Sequence, residues 1–286
     1  MKARVAVCTP CYGNPDASRP SMAYAAVMFV MSQEWDVLCG EQGWDSADIE
    51  IEPSPYPEAQ EHARNNLARI FLESPRNYTH ALLWDADEKG TPRQIWQCLS
   101  AMLKADYPIA SVSCPEKHYM WEKAAKAVLE RFQVGKDGQI HSTTAEELAH
   151  IIKGHACRYV PNKASVTLGP LQPDGFAQIL KGFTTLGFAL VKRSVFEQMI
   201  EAYRDSLTYR WTDYNLHSIE CVGLFHTTLR DRVFESEDLA FCTRWRAIGG
   251  SMYLYLGEGS PLGHIGSTSF SGTREAMLYD WGFSRE

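Results

Sequence analysis

The sequence contains no long apolar segment and no export signal. Its longest uninterrupted apolar run, residues 22–31, is ten residues long, whereas a helix that crosses a bilayer needs about 20. Lys2 and Arg4 are not followed by an apolar stretch with a cleavage pattern, so we expect no signal peptide. These absences predict a cytoplasmic protein without a membrane span.

Cysteine is too sparse for a disulfide-stabilised scaffold. Eight cysteines in 286 residues, without an export signal, are expected to be reduced thiols, most of them buried. Cys8-Thr-Pro-Cys11 has the C-x-x-C spacing of redox pairs. A zinc ribbon needs a second such pair, which the sequence lacks. We therefore expect neither redox nor zinc chemistry from these cysteines.

Two common nucleotide-binding motifs are also missing. The sequence has no G-x-G-x-x-G fingerprint and no Walker A loop. These absences exclude the usual dinucleotide-dependent dehydrogenases and the P-loop nucleotide-binding proteins. Acidic residues outnumber basic ones by 35 to 28, and the net charge of −7 argues against non-specific binding to nucleic acid. Only residues 101–200 are mildly basic, with 12 Lys and Arg against 9 Asp and Glu.

Strands and helices alternate over residues 1–114, which indicates a parallel, Rossmann-like sheet with ligands at the carboxyl ends of its strands. Periodicity and capping signals predict strands at 4–9, 78–84 and 107–113 and helices at 21–39, 58–73 and from Pro92 onward, with Thr91 as N-cap. Residues 41–57, with three closely spaced prolines, and residues 205–234 are predicted to be irregular.

The second half, residues 115–286, is predicted to be mixed α and β and to continue the same sheet, because no linker composition separates it from the first half. We therefore predict an α/β fold and a single domain over residues 1–286. A mixed, mostly parallel central sheet is expected to be flanked by helices.

The clearest candidate for chemistry is Asp85-Ala86-Asp87, directly after the predicted strand 78–84. Alternate positions of an extended segment point to one side, so both carboxylates can face one ligand. Mg2+ and Mn2+ favour such carboxylates together with substrate phosphates. The structural alternative is a solvated turn that ends the strand.

Two later segments carry further candidate groups. Glu237 and Asp238 follow Ser236, and a carboxylate there can take a proton from an attacking hydroxyl. The alternative is that these three residues only begin a helix and complement its dipole. His264, next to Gly263, can complete a metal shell, although a lone histidine more often has a structural role.

Taken together, six segments resemble the motifs of GT-A glycosyltransferases in the order of that family and over most of the chain. They are the first strand and nucleotide loop at 5–12, the A-R-N helix at 62–68, the D-x-D strand at 79–87, the donor-sugar segment at 182–196, the acidic E-D motif at 236–242 and the C-terminal His264. The resemblance implies a GT-A domain with a nucleotide-binding half at 1–114 and an acceptor-binding half at 115–286.

The resemblance also implies an activity. The protein would move a hexose or pentose from a nucleotide-diphospho-sugar, with a UDP-sugar favoured, to an acceptor hydroxyl with the help of Mn2+ or Mg2+. Asp87 and His264 would ligate the metal, and Asp85 would contact the metal or the ribose. Asp238, ahead of Glu237, would be the general base. The remaining donor contacts would come from Thr9, Pro10, Tyr12, Arg64 and Gly187.

The acceptor is less well defined by the sequence. A cluster of aromatic residues either faces a sugar or a base, or only packs; it comprises Tyr209, Trp211, Tyr214 and His217. Some enzymes that resemble this sequence occur in viruses and phages, where they act on hydroxymethylated pyrimidines in DNA. The expected acceptor is therefore a glycan, or modified DNA in a host cytoplasm, and a protein or lipid-linked acceptor is equally open.

Two functions from other classes remain open. A sugar-nucleotide nucleotidyltransferase also uses paired acids on a Rossmann-like sheet, but it usually has a basic, glycine-rich loop where this chain has Pro10-Cys-Tyr-Gly13. A non-catalytic nucleotide-sugar-binding protein would not need intact acidic residues.

Overall fold

The computed structural model describes residues 2–10, 22–56, 60–131, 144, 152, 157–161, 166–212, 218–265 and 269–283. The helices in these ranges are α1 Met22–Gln33, α2 Trp35–Glu41, α3 Gln60–Glu73, α4 Pro92–Ala105, α5 Trp121–Arg131, α6 Arg193–Leu207, α7 Glu237–Ala247 and α8 Arg274–Trp281, with a short 3-10 helix at Ser46–Asp48.

The strands fall into one large sheet and several small ones. The strands of the central sheet are β1 Ala3–Pro10, β2 Ile49–Tyr56, β3 His80–Trp84, β5 Ile109–Val112, β8 Thr167–Leu171, β9 Phe176–Lys181, β10 Phe188–Lys192 and β15 Tyr253–Tyr255. The others are β4 Glu88–Lys89, β6 Cys114–Tyr119, β7 Cys157–Val160, β11 Thr208–Thr212, β12 Ser218–Val222, β13 Thr228–Arg230, β14 Val233–Glu235, β16 Gly263–Ile265 and β17 Ser269–Phe270.

The central sheet has the strand order β2-β1-β3-β10-β5-β15-β9-β8. β1 pairs in parallel with β2 and β3, and β15 pairs in parallel with β5. β10 runs antiparallel to β3 and β5, and β9 runs antiparallel to β15 and β8. Six strands therefore share one direction and two run against them.

This arrangement confirms the predicted α/β class, with a mixed sheet flanked by helices. Most strands share a direction, as predicted, yet four of the seven pairings are antiparallel, because each of the two reversed strands lies between two others. Phe188, the first residue of β10, pairs with Trp84, the last residue of β3. The loop before β10 therefore reaches the edge at which β1 and β3 end.

The prediction that residues 41–57 are irregular was wrong for β2. This strand pairs with β1 over its whole length, with Pro53 opposite Val7 and Pro55 opposite Thr9. Proline lacks a backbone N–H and is tolerated on an edge strand, where one side of the backbone needs no partner in the sheet. β2 is such an edge strand.

The prediction that residues 205–234 are irregular was also wrong. Two small antiparallel pairs occupy most of this region, β11 with β12 and β13 with β14. In β11, exposed and half-buried residues alternate along the strand, which is the period of a strand with one face against the protein. Aromatic composition obscured this alternation in the sequence.

Both faces of the central sheet are covered by helices. Leu82 of β3 packs into one core with Trp96 of α4. Leu83, the next residue, belongs to the other core together with Phe71 of α3 and Phe196 of α6. Burial of each such side chain contributes about 1.5–3 kcal/mol, and this packing fixes α3 relative to the ends of the strands.

The start of α4 agrees with the capping prediction. Thr91 Oγ1 accepts a hydrogen bond from the backbone N–H of Gln94 at 3.2 Å, and the Gln94 side chain accepts one from the backbone N–H of Thr91 at 3.3 Å. None of the helices in the described ranges combines the length and the apolar character that crossing a bilayer requires.

Candidate functional site

Acidic side chains meet at the edge where β1 and β3 end. Asp85 is the first residue after β3, and its backbone N–H donates to the carbonyl of Gly187, just before β10, at 2.7 Å. The short strands β4 and β16 pair beside this edge, with His264 opposite Glu88. Segments from both halves of the sequence thus converge on the predicted D-x-D residues.

Arg64 of α3 lies at the centre of this site. Its side chain is completely buried, and its Nη2 donates to both carboxylate oxygens of Asp85 at 2.9 and 3.1 Å. Nη1 donates to Asp238 Oδ1 and lies 3.7 Å from Glu237 Oε1. Burial acts to lower the pKa of Arg64, but the adjacent carboxylates outweigh it and raise that pKa. Arg64 therefore stays charged and joins the loop after β3 to the start of α7.

This position changes the role that the resemblance implied for Arg64. As a donor contact it would face the base and ribose, but its guanidinium faces three carboxylates and none of its side chain is exposed. A buried cation requires such partners, because an unpaired one is strongly destabilising. The ion pairs support the interpretation of Arg64 as a positioning residue, and its predicted contact with the donor stays a prediction.

Asp238 and Glu237 occupy the first turn of α7 in different environments. Ser236 is the N-cap residue of α7 but makes no side-chain capping hydrogen bond to it, and both acids complement the helix dipole as the structural alternative predicts. Asp238 accepts from Arg64 through Oδ1 and from the backbone N–H of Leu186, at 3.0 Å, through Oδ2. Burial, followed by the charge of Asp238, raises the pKa of Glu237.

The two acids of the D-x-D motif also differ. Burial raises the pKa of Asp85 despite the nearby Arg64 guanidinium. Asp87 is more exposed: its Oδ2 pairs with Lys117 Nζ, and its Oδ1 lies 3.5 Å from His264 Nε2. Burial acts to raise the pKa of Asp87, but hydrogen bonds from His264 and Lys117 outweigh it and bring the pKa to about 2.

From the sequence, Glu88 is an acid to which the metal ligand set could shift by one residue, and Lys117 lies in a segment, 114–121, expected to face the acceptor. Glu88 is only 3% exposed, and burial, followed by the charge of Asp85, raises its pKa well above the usual range. Its carboxylate fills the space beside Gly187, where an added Cβ would lie 2.1 Å from Glu88 Oε1. The signals were present in the sequence, as an acid directly after the D-x-D motif and a glycine before an apolar strand.

The remaining predicted donor contacts are partly described. Thr9 and Pro10 are buried at the end of β1, at the same edge of the sheet as Asp85. Tyr12 lies outside the described residues, as does Cys11. Burial raises the pKa of the Cys8 thiol to about 12, which suits a structural thiol and not a redox-active one.

An aromatic cluster packs against the start of α3, where His62 precedes Arg64 by two residues. The His62 ring stacks on Trp211 with ring centroids 5.2 Å apart, and the Tyr209 and His226 rings lie 4.2 Å apart. His226 Nε2 is 3.6 Å from Glu61 Oε1. Two of the four predicted acceptor aromatics, Tyr209 and Trp211, thus belong to a cluster with His62 of α3, while Tyr214 and His217 fall outside the described residues.

The predicted metal ligands form an incomplete shell. Within the described ranges, no group of three or more His, Cys, Asp or Glu side chains is arranged to hold a metal ion. Asp87 and His264 do approach one another, whereas Asp85 is held by Arg64. Mg2+ is usually bound through one or two carboxylates, with substrate phosphates and water completing the shell. Asp87 offers one such carboxylate, and its role and that of His264 in metal binding stay predictions.

Comparisons with known proteins identify no family. No protein-family model matches the chain, and no curated protein matches it. Similar solved structures include A197 from STIV, at 13% identity and a TM-score of 0.36, covering 92% of this chain and 85% of that one. Another is 4-diphosphocytidyl-2C-methyl-D-erythritolsynthase from Anaerococcus prevotii DSM 20548, at 11% identity and a TM-score of 0.31, covering 74% of this chain and 79% of that one. Similarities this distant assign no function.

Proposed function

We propose that this protein is a metal-dependent glycosyltransferase that transfers a sugar from a nucleotide-diphospho-sugar, with a UDP-sugar favoured, to an acceptor hydroxyl. The observation that carries the proposal is the convergence of Asp85, Glu237 and Asp238 around Arg64 at the carboxyl edge of the sheet, with Asp87 beside Lys117 and His264 two residues after Asp85. Ligands of open α/β sheets bind at this edge.

The leaving diphosphate needs compensation of its negative charge. Asp87 and His264 are the residues that would hold Mn2+ or Mg2+, and such an ion supplies charge neutralisation to a departing phosphate. Asp87, whose pKa the neighbouring His264 and Lys117 lower to about 2, is ionised at neutral pH, as a cation ligand must be. Gly187 and Asp85, joined by a backbone hydrogen bond, would form the adjacent wall of the donor site.

The acceptor hydroxyl needs a base, and the two candidates differ in availability. Asp238 has both oxygens engaged, with Arg64 and with the Leu186 N–H. Glu237 is 3.7 Å from Arg64, and its pKa is raised. Because a base works best when its pKa approaches the operating pH, the geometry favours Glu237 as proton acceptor. Asp238 would hold Arg64 and the loop before β10 in place.

A nucleotide-sugar panel with Mn2+ tests this function. We expect one donor to raise the melting temperature and to be hydrolysed slowly without an acceptor. Asp87→Asn should abolish metal-dependent transfer. Release of pyrophosphate from a nucleoside triphosphate and a sugar phosphate would instead support a nucleotidyltransferase, and binding without turnover for every donor would support a binding protein.

Matched variants separate the two acids. Glu237→Gln should keep donor binding and lose transfer by about 10²–10⁴-fold, the usual contribution of a general base. Asp238→Asn should also weaken the fold, because it removes a partner of Arg64. Glu201→Gln, on an exposed position of α6, provides the control. Full activity of Glu237→Gln with loss in Asp238→Asn would return the base role to Asp238.

The acceptor proposal rests on the aromatic cluster of His62, Tyr209, Trp211 and His226. Aromatic faces bind sugars or bases, and His62, on the same helix as Arg64, joins this cluster by stacking on Trp211 of β11. A glycan acceptor and a hydroxymethylated pyrimidine in DNA both fit such a surface. Transfer assays with oligosaccharides and with modified duplex DNA, each against a Trp211→Ala variant, decide between them.

A further inference from the structure

Each carboxylate oxygen of Asp87 already has a side-chain nitrogen as a neighbour. Lys117 Nζ pairs with Oδ2, and His264 Nε2 lies 3.5 Å from Oδ1. A cation that binds Asp87 through Oδ2 must therefore displace the Lys117 ammonium. In the absence of metal, the Lys117 ammonium is therefore the counter-ion of Asp87 at the proposed metal site.

The backbone holds Lys117 and His264 on the same side of Asp87. Lys117 lies on β6, and the carbonyl of Pro115 on that strand is 2.9 Å from His264 Nδ1. The backbone N–H of Ile265 donates to the carbonyl of Asp87 at 2.7 Å. The side chains of Lys117 and Asp87 are about equally exposed, at 40% and 42%, so the lysine has room to swing away.

Charge at this edge favours such a movement. Four carboxylates, those of Asp85, Asp87, Glu237 and Asp238, face the cations of Arg64 and Lys117. Arg64 is buried and fixed, whereas a lysine ammonium is a compact charge on a flexible stem. Lys117 is therefore the cation that can exchange its partner.

We propose that Lys117 neutralises Asp87 in the absence of substrate and transfers to the donor's diphosphate when metal and donor bind together. This inference rests on the proposed function. The diphosphate offers the ammonium new anionic partners, and the departure of Lys117 frees Asp87 Oδ2 for the metal. Metal and donor therefore bind cooperatively, and each raises the affinity for the other by the same factor.

Mn2+ binding measured by electron paramagnetic resonance tests this coupling without any turnover. The titration is made with and without UDP on the wild-type protein and on Lys117→Gln. In the wild-type protein we expect UDP to tighten Mn2+ binding by about 10-fold or more, within the range usual for coupled sites. Lys117→Gln should bind Mn2+ alone about fivefold more tightly, the most that loss of so exposed an ion pair allows, and its coupling to UDP should fall by at least that factor.

Two further variants provide controls. Lys117→Arg keeps the charge and should retain most of the coupling. Lys104→Gln makes the same charge change on α4, where Lys104 donates to the carbonyl of Gln42, and should leave Mn2+ binding unchanged. Thermal melting confirms that each variant is folded.

The outcomes separate this inference from the proposed function. Equal Mn2+ affinity and equal coupling in the wild-type protein and in Lys117→Gln would overturn the role of Lys117 alone. Weaker Mn2+ binding by Lys117→Gln in the absence of UDP would overturn it as well. Failure of the wild-type protein to bind Mn2+ with any nucleoside diphosphate would overturn the metal part of the proposed function, and this inference with it.

Discussion

Arg64→Met is the variant that tests the architecture of the site most directly. Methionine keeps an unbranched stem in the buried position but removes the cation that faces Asp85, Asp238 and Glu237. Removal of one partner from a buried ion pair costs about 3–5 kcal/mol. Because the three carboxylates keep side-chain exposures of 19–23%, water compensates part of this loss, and we expect about 3 kcal/mol.

Urea unfolding at neutral pH measures this cost. If the midpoint falls while the slope of the unfolding free energy against urea concentration is unchanged, the variant has lost stability and its unfolded state has not changed. Arg69→Met, five residues further along α3, is the control. Arg69 pairs with Glu73, whose side chain is 63% exposed, and donates to Asn66 Oδ1, so its loss should cost about 1–2 kcal/mol. A cost below about 1 kcal/mol for Arg64→Met would refute the idea that Arg64 organises the site.

The same variant predicts a dependence on pH. Arg64 lowers the pKa of Asp85, which burial raises, so without Arg64 that pKa rises further. A carboxyl group whose pKa is higher in the folded than in the unfolded protein stabilises the fold at low pH and loses this contribution as the pH rises through the folded value. The difference in the free energy of unfolding between the wild-type protein and Arg64→Met should therefore become smaller as the pH falls. A deficit that grows below neutral pH would contradict this.

Three further predictions concern neighbouring residues. Gly187→Ala should destabilise the protein by about 1–3 kcal/mol, as overpacking does, because its Cβ would lie 2.1 Å from Glu88 Oε1; thermal melting should show partial rescue by Glu88→Ala. Burial lowers the pKa of His80 to about 4, so stability should fall as the pH drops from about 6.5 to 4. His80→Gln should flatten that fall, measured by urea unfolding. Thr91→Ala should cost about 1 kcal/mol through loss of its cap, seen as a lower urea midpoint.

The sequence predicts the parts of the fold whose patterns are local. The apolar run of β3 and the cap at Thr91 are both found, since period and capping chemistry require no distant partner. β2 was not predicted because its prolines are typical of a loop, and only its pairing with β1 at the edge of the sheet shows that a strand is possible there. The direction of β10 was likewise set by long-range pairing, which no local pattern records.

The candidate site shows the same difference between what local patterns predict and what long-range contacts determine. The motifs identify Asp85, Asp87, Glu237, Asp238 and His264, and the fold brings these residues to one edge. The environment of each side chain could not be predicted from the sequence, because the burial of Arg64 and the contact between Lys117 and Asp87 depend on elements distant in the chain. The roles of these residues in metal binding and proton transfer stay predictions.

The placement of β10 between β3 and β5 has a consequence during synthesis on the ribosome. β5 ends at Val112 and β10 at Lys192, so β3 and β5 are made long before the strand that joins them. Synthesis proceeds at about 5–20 residues per second, so the facing backbone edges of β3 and β5 stay without that partner for roughly 4–16 s. Unpaired strand edges template aggregation, so the nascent chain is expected to need protection during this interval, and synthesis rate should affect the yield of folded protein.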